Sequence, residues 1–238
     1  MIHIKSWCPL IDIHTHILPD VDDGARNFEE SLKMIKESIK QGINHIVVTP
    51  HIFSPYIKCK TKNEIIKIFD EFTKNVKDAG LNVNLYLGHE VSYHIRIFDY
   101  FKHGEFLTLN NKNIILLELP YDRELETFED LQYNFECYGQ SLILAHIERY
   151  DYYSIRKLKH LKSNNVYFQI NASSLMKSHR YFKKANKLLK AGLVDFIASD
   201  IHYNRINHMQ EAYEFVTKNY GQDVATKIFY DNPSQLIL

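Results

Sequence analysis

The sequence is poor in cysteine and carries no excess charge of either sign. Its three cysteines, Cys8, Cys59 and Cys137, lie far apart and form no C-x-x-C pair. They cannot all pair within one chain, which favours a reducing compartment. The 29 lysines and arginines balance 29 aspartates and glutamates among 238 residues. No overall field therefore attracts the chain to nucleic acid or to an anionic membrane, and neither is an expected partner.

Long apolar runs and linker segments are also missing. The short apolar run near the N-terminus is interrupted by Asp12, His14 and His16, so we expect no signal peptide, no membrane insertion and a cytoplasmic location. No stretch rich in proline, glycine and serine divides the chain. With 45% hydrophobic and 24% charged residues, residues 1–238 are expected to fold as a single globular domain.

Seven short apolar runs typical of β-strands alternate with amphipathic helical patterns. The runs are 10–13, 45–49, 85–90, 114–119, 141–146, 166–171 and 194–199. One helix is predicted after the N-cap Asn27, with Glu30 completing a capping box, and another lies between Thr61 and Gly80. Strands that alternate with helices form parallel sheets, and apolar strands are covered on both faces. The pattern predicts an α/β fold with a closed or nearly closed barrel.

Almost every predicted strand ends in a side chain that can bind a metal ion. These side chains are His14, His16, His51, Glu90, Glu118, His146, Asp200 and His202. The carboxyl ends of all strands in a parallel barrel open onto one face, so we expect the eight groups to converge there. His89, beside Glu90, should point to the opposite face of its strand and be structural.

Imidazole and carboxylate groups without thiolates suit borderline divalent ions such as Zn, Mn and Fe. Eight ligands exceed the three or four of a single catalytic ion, so a cluster of two or three ions is expected. Such a cluster activates water and neutralises charge on a phosphoryl or carbonyl group under attack. The pair His14 and His16 alone is equally consistent with a capped strand end, and Glu90 or Glu118 alone is more typical of a structural residue in a salt bridge. Buried carboxylates are too costly to accumulate at every strand end without cations.

Two arginines follow the same strand ends. Arg149 lies three residues after His146, and Arg205 lies three residues after His202. A guanidinium group binds a phosphoryl group through two parallel hydrogen bonds. Arg149 is therefore a candidate phosphate-binding residue, and for Arg205 a surface ion pair is an equally good interpretation.

An acidic loop, residues 18–24, directly follows the first pair of histidines. Its carboxylates can reach the site as an acid or as groups that orient the ligands, and Asp22 is the candidate catalytic residue. For Asp23, a plain Asp-Gly turn before the helix is equally consistent.

Seven short motifs occur in order along nearly the whole chain. They are DIHTHILP at 12–19, DDGA at 22–25, TPH at 49–51, GHE at 88–90, LELP at 117–120, HIERY at 146–150 and SDIH at 199–202. This set resembles the PHP (polymerase and histidinol phosphatase) superfamily. Within it, the set is similar to the bacterial manganese-dependent tyrosine phosphatases of capsule and exopolysaccharide loci. One departure is Ile147, where that family usually has proline.

The resemblance implies a distorted (β/α)7 barrel with its active site at the C-terminal face of the strands, in a single PHP-type metallophosphatase domain over residues 1–238. It implies a trinuclear site usually filled by manganese, ligated by the eight strand-end residues named above, with Arg149 and Arg205 as the phosphate clamp. The implied reaction is hydrolysis of phosphotyrosine on a bacterial tyrosine autokinase that controls capsular or exopolysaccharide synthesis.

The residues six positions after the three cysteines are His14, Ile65 and Ile143, so the Cys-x5-Arg loop of thiolate phosphatases is absent. Two other functions fit the same motifs. One is a PHP phosphoesterase acting on histidinol phosphate or a nucleotide, whose site would be nearly the same. The other is a catalytically silent metal-binding scaffold in a polysaccharide assembly complex.

Overall fold

The structure is a computed structural model that describes residues 9–163 and 165–238. The strands are β1 (Leu10–Thr15), β2 (Ile43–Val48), β3 (His51–Ile52), β4 (Asn84–Leu87), β5 (Glu90–Ser92), β6 (Ile114–Glu118), β7 (Ser141–Leu144), β8 (Val166–Asn171) and β9 (Phe196–Ala198). All seven predicted runs contain strands. The third is divided into β4 and β5, and a further short strand, β3, follows the second run. Cys8 lies outside the described residues.

The named strands pair only in parallel, in the orders β1-β2-β4 and β3-β5-β6-β7-β8-β9. Because β2 leads into β3 and β4 into β5, the two sheets form one curled wall of seven strands. Its two edges meet where Thr15 bridges to Ile201. The His16 N–H donates to the Ile201 carbonyl at 3.1 Å, and the Asp200 N–H donates to the His14 carbonyl at 2.9 Å. The predicted α/β fold with a distorted barrel is confirmed.

Helices follow most of the strands. They are α1 (Phe28–Lys40), α2 (Lys62–Asp78), α3 (Ile97–Lys102), α4 (Phe128–Cys137), α5 (Ile155–Leu161), α6 (Phe182–Lys190), α7 (Met209–Tyr220), α8 (Gln222–Thr226) and α9 (Asn232–Ile237). Asn27 caps α1 as predicted, by accepting from the Glu30 N–H at 3.0 Å. The other hydrogen bond of that capping box, from the Asn27 N–H to the Glu30 carboxylate, was predicted wrongly, because Glu30 accepts from the Arg26 N–H instead. Thr61 begins α2 with a complete capping box. None of the helices in the described ranges is long and apolar enough to cross a membrane.

The apolar core has two parts, one on each face of the strands. The larger packs the outer strand face against the helices. The smaller includes Ile11, Leu116, Ile143 and Phe196, from four different strands. Glu118 lies two residues beyond Leu116 and therefore faces the same way. The inner face thus changes from apolar to ligand-bearing toward the carboxyl ends of the strands.

Candidate active site

The eight strand-end side chains are all buried, and the barrel brings them together around the Glu90 carboxylate. Glu90 Oε2 lies 3.1 Å from His14 Nε2, 3.2 Å from His16 Nε2 and 3.1 Å from His51 Nδ1. Its other oxygen, Oε1, lies 2.8 Å from His146 Nε2. His14 and His16 point the same way, as the alternation of the strand predicts, with 3.2 Å between their Nε2 atoms.

Two further carboxylates complete the arrangement. Asp200 Oδ1 lies 3.6 Å from His14 Nε2, 3.5 Å from His16 Nε2 and 3.6 Å from His202 Nδ1. Glu118 Oε1 lies 3.5 Å from the ring of His146. All eight predicted ligand side chains therefore occupy one site at the carboxyl ends of the strands.

Two of these residues, His146 and Asp200, have left-handed backbone conformations, with φ of 34° and 50°. Such conformations are costly for residues other than glycine and persist only where the surroundings hold them. The His146 N–H donates to Gln169 Oε1 at 2.8 Å, and the Asp200 N–H is held by His14 as described above. Two strained residues thus belong to the site.

The acidic loop packs against the first pair of histidines because of Gly24. A Cβ atom at Gly24 would lie 2.0 Å from the His16 carbonyl oxygen, so only glycine permits this approach. As a result, Asp22 Oδ2 lies 2.8 Å from His16 Nδ1 and accepts from the His51 N–H at 3.0 Å. Asp23 instead faces the ligands, with Oδ1 at 3.2 Å from His202 Nε2 and 3.6 Å from His51 Nε2.

The donor groups fit divalent cations. Within the described residues, three overlapping sets bring their ligand atoms within 4.8 Å of one another. The sets are His16 with Asp23, His51 and His202; His14 with His16 and Asp200; and His51 with Glu90 and Glu118. Glu90 Oε2, His51 Nδ1 and His202 Nε2 are buried without a hydrogen-bond partner. Buried polar atoms without partners are costly, and a nitrogen and oxygen set without sulfur suits borderline divalent ions.

The charges of the site favour ionised carboxylates. Burial raises the pKa of Glu90, but the neighbouring His14 and His51 rings hold that pKa well below its usual range. Burial likewise opposes ionisation of Asp200, and the Arg149 guanidinium with His14 holds its pKa far below normal. For Asp22, the His16 ring outweighs burial and lowers the pKa to about 2. The carboxylates are therefore available as ligands or as acceptors that orient a ligand.

Both candidate arginines reach this site. Arg149 Nη2 lies 2.6 Å from Asp200 Oδ2, and Arg205 Nη1 lies 3.2 Å from the same oxygen. Burial would lower the pKa of Arg149, but the Asp200 carboxylate raises it, so the guanidinium stays charged. Both side chains line a cavity of about 170 Å³ together with the ligands.

Ile147 does not disturb the turn that presents Arg149. The segment Ile147–Arg149 is one 3₁₀ turn, and Ile147 is fully buried. The Glu148 carboxylate accepts from the Asn171 N–H at 3.0 Å and from Ser174 Oγ at 2.7 Å. The turn is thus anchored to the end of β8 without the proline usual at this position.

Three polar residues that the sequence interpretation missed also contact the ligands. The Tyr121 hydroxyl donates to Glu118 Oε1 at 2.6 Å, and the Tyr121 ring stacks on His146 with centroids 5.9 Å apart. Gln169 Oε1 lies 3.2 Å from His14 Nδ1, and Asn171 Nδ2 donates to Asp200 Oδ2 at 2.6 Å. A signal was available for the last two, because they occupy alternate positions of the otherwise largely apolar strand β8.

His89 is structural, as predicted. Its Nδ1 atom accepts from the Leu107 N–H at 2.9 Å on the far side of the strand from Glu90. Burial, reinforced by the charge of Lys62, lowers the pKa of His89 to about 3. The ring is therefore neutral in the folded protein.

Residues 10–238 match the family of capsular polysaccharide synthesis proteins, CpsB/CapC. The chain belongs to the CpsB/CapC family. Tyrosine-protein phosphatase CpsB of Streptococcus agalactiae is 31% identical over 240 residues, which is 96% of this chain and 98% of the relative. Tyrosine-protein phosphatase YwqE of Bacillus subtilis strain 168 is 31% identical over 226 residues, covering 90% of this chain and 87% of the relative. The similarity of the motifs to this group of proteins is thus confirmed.

Solved structures agree with membership of the CpsB/CapC family. A chain from the crystal structures of YwqE from B. subtilis and CpsB from Streptococcus pneumoniae, described as unique metal-dependent tyrosine phosphatases, matches with a TM-score of 0.83. The two chains are 28% identical over 91% of this chain and 90% of the other. The phosphotriesterase homology protein from Escherichia coli matches with a TM-score of 0.57 at 10% identity, a likeness of fold alone.

Proposed function

We propose that this protein is a metal-dependent tyrosine-protein phosphatase. Its substrate is a phosphotyrosine on a bacterial tyrosine autokinase, and its action in the cytoplasm regulates capsular or exopolysaccharide synthesis. The observation that carries the proposal is the buried Glu90 carboxylate, surrounded by four histidine rings and adjoining a cavity that two arginines line. Support also comes from relatives named tyrosine-protein phosphatase that match nearly the whole chain.

The proposed cofactor is a cluster of two or three Mn²⁺ ions, with Fe or Zn as the alternative metals. Its proposed ligands are His14, His16, Asp23, His51, Glu90, Glu118, His146, Asp200 and His202. When bound, the ions lower the pKa of a water molecule and neutralise charge on the phosphoryl group. Gln169 and Asp22 fix the outer ring nitrogens of His14 and His16, which leaves the Nε2 atoms for the ions.

The arginines bind the phosphoryl oxygens in this proposal. Arg149 donates one N–H to Asp200 and has Nη1 at 3.5 Å from the Tyr121 hydroxyl, and its side chain lines the cavity beside Arg205. Charge on the equatorial oxygens grows in the transition state, so donors that are already in position stabilise it selectively. Asp22 is enclosed against His16 and His51, and we assign it a positioning role rather than contact with the substrate.

No cysteine nucleophile is needed. Of the two cysteines in the described part of the chain, Cys59 is half-buried and Cys137 is exposed, and neither lines the cavity that holds the ligands. Since none of the three cysteines is followed by an arginine six positions on, hydrolysis in this proposal proceeds without a cysteinyl phosphate intermediate.

We also propose that residues 1–238 form one PHP-type domain. The family match extends from residue 10 to residue 238. In addition, the pairing of Thr15 with Ile201 joins the two ends of the strand wall, so neither half closes the barrel alone.

The experiment that tests the function compares initial rates with added Mn²⁺ on four substrates: a phosphotyrosyl peptide, the matching phosphoseryl peptide, histidinol phosphate and a nucleotide monophosphate. We expect the phosphotyrosyl peptide to be hydrolysed fastest, and Asp200→Ala to remove the activity. Faster turnover of histidinol phosphate or of the nucleotide would identify a metabolite phosphatase. Bound metal without any turnover would identify a scaffold.

A further inference from the structure

A second cavity opens beside the one that holds the ligands. This side groove has a volume of about 1130 Å³ and is lined by residues 55–56, 92–95 and 118–127 together with Lys157. Its lining comes mainly from the loops that follow β3, β5 and β6. Tyr56, Glu118 and Tyr121 line both cavities. The side groove is therefore continuous with the catalytic cavity.

The catalytic cavity is small, with a volume of about 170 Å³, and it is enclosed by ligands, arginines and the rings of Tyr56 and Tyr121. It cannot hold several residues of a peptide. The residues that flank the phosphotyrosine must therefore lie outside it, and the side groove is the adjoining space.

The side groove contains large apolar side chains that are exposed to solvent. Eight large apolar side chains are exposed among the described residues, and three of them, Tyr56, Ile95 and Tyr121, line this groove. Their exposed fractions are 80%, 77% and 41%. Exposed apolar groups that cluster in a concave site, next to polar catalytic groups, mark a surface that binds a partner.

Four charged residues of the side groove are paired. Glu124 pairs with Lys157, and Asp122 lies 3.7 Å from Arg123. Glu118 and Glu126 also line the groove, so its remaining charge is negative. The groove therefore disfavours an acidic segment and favours one that binds through apolar contact.

We propose that the side groove binds the residues that flank the phosphotyrosine in the substrate chain, and that Ile95 selects an apolar side chain there. The inference rests on the proposed phosphatase function and deepens it. Binding in the side groove makes the enzyme selective for a phosphotyrosine within an apolar stretch of protein. Small phosphoesters reach only the catalytic cavity and gain nothing from the side groove. Tyr56 and Tyr121 form the boundary between the two cavities, and Ile95 acts only on the flanking residues.

The test uses Ile95→Ser and the matched control Ile206→Ser. Ile206 is an isoleucine of similar exposure, 73%, that lies outside the lining of both cavities. Three substrates are compared with saturating Mn²⁺: a phosphotyrosyl peptide with leucine on both sides, the same peptide with serine on both sides, and p-nitrophenyl phosphate.

The wild-type enzyme should prefer the leucine peptide, and Ile95→Ser should lower kcat/KM on that peptide by about three- to tenfold through KM, as expected for the loss of part of an apolar contact. Rates on p-nitrophenyl phosphate should not change, and Ile206→Ser should behave as wild type. The unphosphorylated leucine peptide should inhibit hydrolysis of p-nitrophenyl phosphate by the wild type and inhibit Ile95→Ser less.

Equal rates of the wild type on both peptides would overturn the inference while leaving the phosphatase function intact. It would also be overturned by an equal loss on p-nitrophenyl phosphate in Ile95→Ser, or by the same loss in Ile206→Ser. An absence of turnover on every phosphotyrosyl substrate by metal-loaded wild type would instead refute the proposed function and the inference with it.

Discussion

Replacing Arg149 by lysine tests the proposed phosphate clamp most directly. The Arg149 guanidinium is 21% exposed, donates through Nη2 to Asp200 Oδ2 at 2.6 Å, and has Nη1 3.5 Å from the Tyr121 hydroxyl. Lysine can preserve the positive charge next to Asp200. It cannot at the same time hold Asp200 and present a planar pair of donors to two phosphoryl oxygens.

The expected loss follows from the hydrogen bonds that lysine cannot replace. A hydrogen bond to a charged group contributes about 1.5–3 kcal/mol, and each 1.4 kcal/mol corresponds to about a tenfold change in rate. If one bond to the phosphoryl group is lost in the transition state, kcat/KM should fall about 10–100-fold. Metal content should not change, because Arg205 and Asn171 also contact Asp200 Oδ2.

The assay is steady-state kinetics on a phosphotyrosyl peptide, with bound metal measured on the same preparations. Arg156→Lys is the matched control, since Arg156 is exposed on α5 and lines neither the catalytic cavity nor the side groove. Its rates should match those of the wild type. A drop of less than threefold for Arg149→Lys at unchanged metal content would refute the clamp. A large drop accompanied by lost metal would show that Arg149 acts by holding Asp200.

Three further predictions concern the ions, their ligands and the pH dependence of stability. Strong chelation should abolish phosphatase activity, and Mn²⁺ should restore it. Thiol alkylation should leave rates nearly unchanged, because the proposed reaction depends on ions and not on a thiolate. Full activity of the metal-free enzyme would contradict this prediction. Asp200→Ala and His146→Ala should each lower kcat by at least about a hundredfold, because each removes a ligand of the cluster. The circular dichroism spectra of both variants should match the wild type. A wild-type rate in either variant would mean that the replaced residue has only a structural role. The pKa of His89 is about 3 in the folded protein and 6.5 for the free side chain. Below pH 6.5 the unfolded chain therefore binds a proton at His89 that the folded chain does not bind. The free energy of unfolding consequently decreases as the pH falls below 6.5. Between pH 7.5 and 5.5 the wild type should therefore lose about 1.4 kcal/mol more free energy of unfolding than His89→Asn, measured by urea denaturation with saturating metal; parallel losses in the two proteins would show that His89 does not titrate in this way.

Local sequence patterns predicted the strands and helices well, because the side-chain periods of strands and helices are local properties. The pattern did not show that the third predicted strand is divided, or that a separate short strand follows the second. Pro50 lacks the N–H that a continuous strand would use between β2 and β3. Between β4 and β5, Gly88 packs so closely on Leu109 that a Cβ atom would lie 2.6 Å from Leu109 Cδ2. That contact joins segments distant in sequence, so no local window contains it.

The sequence did not predict which of the two adjacent aspartates of the acidic loop faces the ligands. The sequence favoured Asp22 as the catalytic residue and left Asp23 open between a group that reaches the site and an ordinary turn residue. The structure directs Asp22 to the outer nitrogen of His16 and Asp23 to His202 and His51. Which carboxylate faces the ligands depends on the path of the loop across the His16 backbone, which Gly24 permits.

By itself, the sequence determined the alternation of strands and helices, the kinds of ligand available and their positions at the strand ends, because these properties depend on residues close together in the chain. Only the tertiary structure decided that Gln169 orients His14, a contact between residues 155 positions apart. It also decided that Tyr121 stacks on His146 and lies beside the side groove. Such contacts depend on how the curled wall of strands closes, and the distances that closure sets are not encoded in any single stretch of the chain.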